Sequence, residues 1–270
     1  MKVTVIGCYG GFPAANEATS GYLFQSGDFS LLVDCGSAVL SKLFGYVPAE
    51  KLDAVVLSHY HHDHIADIGP LQFAKQVGSF LGKGEHSLPI YGHDADIEQF
   101  QKLTYKTHTK GIAYQPDQQL TVGPFTITFL KTVHPVTCYA MRITDGSHTV
   151  VYTADSSYQD SFIPFSENAD LLISECNFYA DQDGTSAGHM NSLEAGRIAE
   201  EAGAGELLLT MGDRRAEAAG NRLLRIQRAP GELHQALGAH DDGRRGEPRS
   251  RPCRHPRCRR ACRSRGRWAR

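Results

Sequence analysis

The stretch Ser58-His59-Tyr60-His61-His62-Asp63-His64 follows directly on the apolar run 54–57 of this 270-residue chain. Its imidazole and carboxylate groups are donors suited to zinc or a similar divalent ion, and an ordinary surface loop does not carry so many of them. The run before it is short and rich in aliphatic residues, which is typical of a strand. A strand that ends in such a turn can direct alternate side chains into one cavity. The stretch therefore predicts a metal site, with a solvated polar loop as the alternative.

Further candidate ligands follow other predicted strands. His134 comes after the alternating run 125–133, and Asp155 comes after another strand-length run. Asp34 lies at the end of a third such run and is a candidate to orient a ligand histidine through a hydrogen bond. Each of these residues alone would be an ordinary turn residue. Together with the histidine-rich stretch, they indicate one site built at the ends of strands.

Short β-rich runs alternate with helical stretches along the first part of the chain. Predicted strands occupy 1–6, 20–26, 29–34, 53–58, 88–92, 124–131, 138–143, 148–153, 170–174 and 206–210, and predicted helices occupy 37–45, 65–82, 94–104 and 191–203. Strands interleaved with helices favour a layered α/β protein. Hydrophobic residues make up 41% of the chain, enough to bury a sizeable core, so we expect one globular domain over residues 1–212.

The composition changes after residue 212. Residues 1–212 carry 11 Lys and Arg against 24 Asp and Glu, whereas residues 213–270 carry 17 against 6 and contain no Lys. The second segment shows neither a strand period nor a helical period, so we expect an abnormal, Arg-rich tail that is disordered. Two explanations stay open. The tail is either the product of a frameshift or a basic arm that binds nucleic acid.

Cellular location follows from weaker signals. The apolar N-terminal run 1–6 is too short for the core of a signal peptide, and no run approaches the length of a membrane span. Four cysteines stand singly in apolar segments, as reduced thiols do; they are Cys8, Cys35, Cys138 and Cys176. We therefore expect a cytoplasmic protein without a membrane partner.

At the level of motifs, the chain resembles the metallo-β-lactamase superfamily, and within it the ribonuclease-Z-like branch of small bacterial metal-dependent hydrolases. The resemblance covers residues 1 to about 210. It rests on the HxHxDH pattern of residues 59–64 and on four further blocks, Val33–Gly36, Thr132–Pro135, Tyr152–Asp155 and Ala187–Ser192. It implies a mixed α/β (α+β) fold, a four-layer αββα sandwich with a dinuclear metal centre at one edge.

The resemblance also implies a set of metal ligands. His59, His61 and His134 would hold one Zn²⁺ or Mn²⁺ ion, Asp63 and His64 would hold a second, and Asp155 would bridge the two. Two such cations lower the pKa of a water molecule between them and stabilise charge on a phosphoryl oxygen. Asp63 would orient that water, and His189 would contact a phosphate oxygen or protonate the leaving group, unless it is simply a polar residue at the start of a helix.

One position departs from the family pattern. The last family ligand is a histidine after the strand that matches Glu206–Thr210, and this chain has Met211 there. A thioether is a soft donor that does not replace imidazole on Zn²⁺ or Mn²⁺, so the second metal is expected to bind weakly. A water molecule or a histidine of the tail, His234 or His240, is the alternative ligand.

The substrate is less well defined. Ribonuclease Z enzymes carry a long arm that grips transfer RNA, inserted between the residues that match His134 and Asp155, and here no arm fits between them. The resemblance thus favours a phosphodiesterase acting on a small anionic phosphodiester over one that trims transfer RNA. A hydrolase of thioesters or lactones is one alternative, and a catalytically impaired protein or an Arg-tailed nucleic-acid binder is another. The segment Lys106–Gly111 is read as a solvated loop or as a lid over the site. Family members commonly form dimers, so a homodimer is possible.

Overall fold

The computed structural model describes residues 1–83 and 86–211, together with the backbone of residues 225–227. All of these belong to one compact unit, Met1–Gln235. They form thirteen strands and six α-helices in two sheets.

The first sheet has six strands in the order of the sequence. β1 to β3 are antiparallel, and β3 to β6 are parallel. The strands are β1 (Lys2–Gly7), β2 (Gly21–Ser26), β3 (Phe29–Val33), β4 (Ala54–Val56), β5 (Leu88–Gly92) and β6 (Thr109–Ala113).

The second sheet has seven strands in the order β13-β12-β11-β10-β9-β8-β7. β10, β11 and β12 run parallel, and the other neighbours are antiparallel. The strands are β7 (Leu120–Val122), β8 (Phe125–Lys131), β9 (Tyr139–Thr144), β10 (Thr149–Tyr152), β11 (Leu171–Glu175), β12 (Glu206–Thr210) and β13 (Arg225–Gln227).

The helices cover the outer faces of the two sheets. They are α1 (Val39–Leu43), α2 (His62–Ile65), α3 (Ile68–Phe80), α4 (Ile97–Gln101), α5 (Phe162–Phe165) and α6 (Ser192–Glu201). Short 3₁₀ turns occur at Ala49–Lys51 and Thr185–Ala187. In the part of the chain that the structure describes, no helix has both the length and the apolar character needed to cross a membrane.

Three buried clusters define the layers. In β2, Tyr22 and Phe24 face the cluster between the two sheets, whereas Leu23 faces a second cluster shared with α1 and α3. This alternation follows from the two-residue period of a strand. A third cluster joins the second sheet to α5 and α6, with Phe162 and Ile198 among its members. Helices, two sheets and helices therefore stack as an αββα sandwich, and the predicted fold class is confirmed.

The predicted elements differ from the structure mainly at their ends. The predicted helix 65–82 corresponds to α3, which begins later, at Ile68, and a separate short helix, α2, ends at Ile65. The turn between them is held by the Asp67 carboxylate, which accepts a hydrogen bond from the Leu40 N–H at 2.9 Å. The predicted helix 94–104 begins later, after Asp96, whose side chain caps α4 by accepting from the Gln99 N–H.

Three strands were missed, β6, β7 and β13, the last of which lies in the predicted tail. β6 contains Lys110 and Gly111, and β7 has only three residues, so neither has a strong apolar pattern. The segment Lys106–Gly111 was predicted to be a loop or a lid. Its second half, Thr109–Gly111, instead belongs to β6 at the edge of the first sheet.

The tail predicted over residues 213–270 lies almost entirely outside the described residues. Within it the structure describes only β13, which pairs with β12 in antiparallel register from Glu206↔Gln227 to Leu208↔Arg225. The prediction for the tail as a whole stays a prediction.

Candidate metal centre

The candidate site lies along one edge of the sandwich, where the carboxyl ends of several strands meet. The histidine-rich stretch follows β4, Asp34 follows β3, and Asp155 follows β10. Polar groups placed where strands leave a sheet can converge without interrupting the hydrogen-bonded ladders, and such edges are where open α/β sheets commonly bind ligands.

The first group of donors is formed by three imidazoles and one carboxylate. The His61 Nδ1 atom lies 3.2 Å from the His59 Nε2 atom and 3.0 Å from the His134 Nε2 atom. The Asp155 Oδ2 atom lies 3.8 Å from both Nε2 atoms. One donor atom from each of the four residues lies within 4.8 Å of the others.

The second group shares Asp155 with the first. The other oxygen of this carboxylate, Oδ1, lies 3.3 Å from the His64 Nε2 atom, and Asp63 Oδ2 lies 3.7 Å from that same nitrogen. Because its two oxygens face different groups, Asp155 is placed to bridge two ions. The structure thus brings together all six residues that the sequence suggested as ligands.

The donor set fits divalent metal ions. Donors bonded to zinc at about 2.05 Å in a tetrahedron are separated by roughly 3.3 Å, close to the separations found here. His64 Nε2 and Asp155 Oδ1 are also buried without a hydrogen-bond partner. A buried polar atom left unsatisfied is destabilising, and coordination to a cation would satisfy both.

In two of the ligand histidines, a hydrogen bond at Nδ1 determines which ring nitrogen can bind a metal. The Ser58 hydroxyl uses its one proton to donate to Asp34 Oδ2 at 2.8 Å. In its hydrogen bond of 3.0 Å with His59 Nδ1, the Ser58 oxygen is therefore the acceptor and the histidine N–H is the donor. In the same way His134 Nδ1 donates to the Gly188 carbonyl oxygen at 3.0 Å. In both rings the proton therefore sits on Nδ1, and Nε2 keeps the lone pair needed by a metal.

Asp34 holds a third ligand ring. Its Oδ2 atom accepts from His64 Nδ1 at 2.8 Å and from the Tyr152 hydroxyl at 2.9 Å, and its Oδ1 atom accepts from the Ser58 N–H at 2.8 Å. The residue is fully buried and has a positive φ of 57°. The role suggested for Asp34 from the sequence, orientation of a ligand histidine, matches this geometry.

The charges of the site follow from burial and from its neighbours. Burial lowers the pKa of His59 well below its ordinary value, and it also lowers the pKa of His61 and His134. These three rings are therefore neutral, the form that binds a cation. Burial alone would raise the pKa of Asp155, but the surrounding imidazoles, His64 above all, outweigh it and hold that pKa well below its usual range.

His189 lies beside the first group, with its ring 5.3 Å from the ring of His134. Its Nδ1 atom is 3.0 Å from Oε1 of Glu175, a buried residue at the end of β11. Burial raises the pKa of Glu175 to about 7. Burial would lower the pKa of His189, but the hydrogen bond to Glu175 and the charge of that carboxylate raise it above its ordinary value.

The sequence reading missed Glu175, although the signal was present. Like Asp155, it is a carboxylate directly at the end of a predicted strand. Its two oxygens are held by the backbone N–H groups of Ser156 and Asn177, each at 3.1 Å, so its position does not depend on His189.

Met211 follows β12, at the position where the resemblance implies a last histidine ligand. It is buried, it has a positive φ of 64°, and its N–H donates to the Cys8 carbonyl oxygen at 2.7 Å. Its side chain lies beside Gly10, where an added Cβ would meet the Met211 Cβ and Cε atoms at 3.3 Å. Among the described residues, the second donor group contains no fourth member. The alternative ligands His234 and His240 lie outside the described part of the chain.

Other residues singled out from the sequence lie around this centre. His62 is exposed, unlike the other histidines of the stretch. The turn after β1 approaches the second group, where the Gly11 N–H donates to Asp63 Oδ2 at 2.8 Å. The four cysteines that the structure describes, Cys8, Cys35, Cys138 and Cys176, form no disulfide.

Fold and site together define a class of protein. Residues 16–232 match the family model of the Metallo-beta-lactamase superfamily, and the chain belongs to that superfamily, as its motifs suggested.

Particular relatives narrow this class. Over 210 residues the chain is 96% identical to a protein of Bacillus subtilis (strain 168) described as "Probable metallo-hydrolase YhfI", an alignment covering 78% of this chain and 86% of the relative. The crystal structure of YhfI, described as a metallo-beta-lactamase fold protein, superposes with a TM-score of 0.78 at 94% identity over the same shares of the two chains. A ribonuclease Z of Mycobacterium bovis (strain BCG / Pasteur 1173P2) is 28% identical over 199 residues, covering 64% of this chain and 69% of the relative. The predicted ribonuclease-Z-like relationship is therefore confirmed.

Proposed function

We propose that this chain is a metal-dependent hydrolase that cleaves phosphodiesters. The observation that carries the proposal is the bridging position of Asp155 between two groups of donors, with the His189–Glu175 pair beside them. Two cations held close together, with a proton donor at one side, suit the displacement of an alcohol from a phosphodiester. The relationship to a ribonuclease Z supports the same reaction.

In this proposal His59, His61, His134 and Asp155 hold one Zn²⁺ or Mn²⁺ ion, and Asp63, His64 and Asp155 hold the other. Bound cations would supply an acidified water molecule and stabilise charge on the phosphoryl oxygen. Asp34, Ser58 and the Gly188 carbonyl keep the ligand rings in orientation, as second partners of metal ligands do.

In this proposal, protein side chains orient the attacking water and donate the proton to the leaving group. The Asp63 carboxylate, fixed by the Gly11 N–H, would accept a hydrogen bond from the attacking water and set its direction. His189 would give the proton on Nε2 to the leaving oxygen, because its Nδ1 atom is held by Glu175. Glu175 is a positioning residue in this scheme, since it acts through His189.

The substrate in this proposal is a small anionic phosphodiester. Between His134 and Asp155 the chain forms only β9, β10 and their turns, so it has no long arm of the kind that would grip transfer RNA. Trimming of transfer RNA therefore stays the less favoured outcome. A cytoplasmic location and a homodimer stay predictions, and so does impaired activity caused by Met211.

The test is hydrolysis by the purified full chain supplied with Zn²⁺ or Mn²⁺. We expect bis(4-nitrophenyl) phosphate to be cleaved only when metal is present, and faster than a chromogenic thioester. His61→Ala should abolish this activity. The matched control is His62→Ala, which removes an exposed histidine from the same stretch and should leave the rate unchanged. Faster hydrolysis of the thioester would instead support the acyl hydrolase alternative.

A further inference from the structure

The face of the site next to His134 and His189 is apolar and exposed. Val133 and Val136, on either side of the ligand His134, are 51% and 39% exposed. Tyr179 is 40% exposed and follows Phe178, whose ring lies 6.4 Å from the ring of His189. Large apolar side chains that remain exposed beside a reactive centre are typical of ligand-binding surfaces.

This face is built on two loops that are fixed in place. The Val133 N–H donates to the Ser156 hydroxyl at 3.0 Å, and the Val133 carbonyl accepts from the Ser157 N–H at 2.9 Å. On the other loop, the Tyr179 N–H donates to the side-chain oxygen of Gln182 at 2.9 Å. The apolar groups are therefore presented at set positions beside the proton donor.

The two loops touch each other next to the metal ligands. A Cβ added at Gly188 would lie 2.6 Å from the Pro135 Cδ atom and 3.0 Å from His134 Nδ1. Val133 and Val136 flank His134, and Tyr179 follows Phe178 beside His189, so these apolar residues belong to the two loops that carry the adjacent His134 and His189 rings, whose centroids are 5.3 Å apart.

The charges of this region disfavour a polyanion. Neither residues 132–137 nor residues 176–191 contain a lysine or an arginine, whereas the second loop carries the exposed Asp181 and Asp183. Two arginines outside these loops already have partners: Arg142 donates to the Phe165 carbonyl oxygen, and Arg197 donates to the Glu201 carboxylate. Apart from the exposed Lys131, which directly precedes the first loop, a chain of phosphates would meet no lysine or arginine here, whereas proteins that bind nucleic acid normally provide several.

We propose that this apolar face is the subsite for the leaving group, and that the substrate is a phosphodiester with one negative charge whose leaving alcohol carries an uncharged, apolar or planar body. The inference rests on the proposed phosphodiesterase function. In the reaction a bond forms between phosphorus and the oxygen of water, and the bond from phosphorus to the leaving oxygen breaks. That oxygen keeps the electron pair and takes a proton from His189, and the proton lost by water passes to solvent. The products are a phosphate monoester and an alcohol.

The test compares two non-chromogenic diesters, diphenyl phosphate and dimethyl phosphate, which carry the same charge. Binding to the metal-loaded full chain is measured by calorimetry, and inhibition of bis(4-nitrophenyl) phosphate hydrolysis is measured in parallel. We expect diphenyl phosphate to bind at least about tenfold more tightly, because its rings bury apolar area on this face. Tyr179→Ser should reduce that preference several-fold and leave the affinity for dimethyl phosphate unchanged.

The matched control is Tyr46→Ser, which removes another exposed tyrosine, 58% exposed, from the loop after α1. Equal affinity for the two diesters, no binding of either, or tighter binding of a short thymidine oligonucleotide would overturn the subsite. So would equal effects of Tyr179→Ser and Tyr46→Ser. If diphenyl phosphate binds with the expected preference but no diester is cleaved, the subsite stands and the phosphodiesterase function fails.

Discussion

At the residue scale, a single carboxylate organises much of the centre. Asp34 receives hydrogen bonds from the backbone and hydroxyl of Ser58, from His64 and from Tyr152. It thereby joins the end of β3 to the metal-binding stretch and to the second sheet. Its left-handed backbone conformation is one that aspartate tolerates better than most residues.

Replacing this carboxylate tests its effect on the metal. The Asp34→Asn variant keeps the volume of the side chain but has only one acceptor oxygen. It therefore cannot accept from both the Ser58 N–H and the His64 ring, and we expect metal affinity to fall by about 10–100-fold. Competition with a chelator measures this directly. Asp28→Asn, which changes an exposed aspartate on the turn before β3, is the control and should bind metal normally.

The Glu175–His189 pair gives a second prediction at this scale. Removing the carboxylate in Glu175→Gln should lower kcat without changing metal content, because the hydrogen bonds of this carboxylate go to His189 and to the N–H groups of Ser156 and Asn177. The double variant Glu175→Gln/His189→Ala should be no slower than His189→Ala alone, since residues acting as a unit are not additive. Additive losses in this cycle would argue against the pair.

Much of the centre could be predicted from the sequence because its ligands are side chains at strand ends. The parts of the centre that the sequence did not predict are hydrogen-bond partners of the ligands. The Gly188 carbonyl and the Gly11 N–H belong to the backbone, and no residue type marks a backbone group as a partner of His134 or Asp63. Ser58 was visible only as part of a strand, since its hydroxyl acquires its role through Asp34, which is distant in sequence.

At the scale of secondary structure elements, the ends of β4 and β5 are held together by Tyr60. This residue stands between two proposed ligands, and its hydroxyl donates to the His93 carbonyl oxygen at 2.5 Å. Its ring also packs on the His93 ring, with the centroids 4.5 Å apart. The contact is possible because Gly92 has no side chain, as an added Cβ would collide with the Tyr60 hydroxyl.

Two glycine substitutions with opposite effects test this view. Gly92→Ala should displace Tyr60, lower the unfolding temperature and weaken metal binding, because the stretch that carries His59 and His61 would shift. Gly196→Ala lies in α6, where an added Cβ meets nothing within 4 Å, and should stabilise the protein by about 0.5–1 kcal/mol. Thermal unfolding with and without metal separates the two. Unchanged metal affinity in Gly92→Ala would contradict the role given to Tyr60.

Central strands were predictable because they are buried on both faces and read as continuous apolar runs, as in Leu31–Val33. Edge strands carry less information. β6 is paired through its backbone to β5 from Leu88↔Thr109 onward, and this pairing needs no apolar pattern in β6 itself. The start of α6 was predicted to within one residue, because the capping box that begins it, Asn191 with Glu194, is local in sequence.

At the scale of the whole molecule, the chain has two compositions. We propose that the Arg-rich tail, residues 213–270, is translated out of frame. The loss of lysine after residue 212, the excess of arginine and the extent of the alignment with YhfI, which covers 210 residues, support this proposal. Sequencing the gene would decide it, and an uninterrupted frame with matching reads would contradict it. A basic arm that binds nucleic acid is the alternative, tested by deleting residues 213–270.

Met211 lies close to the point where the Arg-rich tail begins, and it bears on the metal centre. This residue sits at the end of β12 in a left-handed conformation that histidine also tolerates. Met211→His would therefore place an imidazole after the strand where the family has one. The second donor group would then gain the ligand type it lacks.

The most direct measurement is the number of metal ions bound per chain, determined by elemental analysis of the purified protein and of its Met211→His variant after dialysis. We predict that the unaltered chain keeps one ion firmly and the second only weakly, whereas the variant keeps both. Two ions held tightly by the unaltered chain would contradict the weakened second site. An absence of bound metal in both proteins would contradict the metal centre itself.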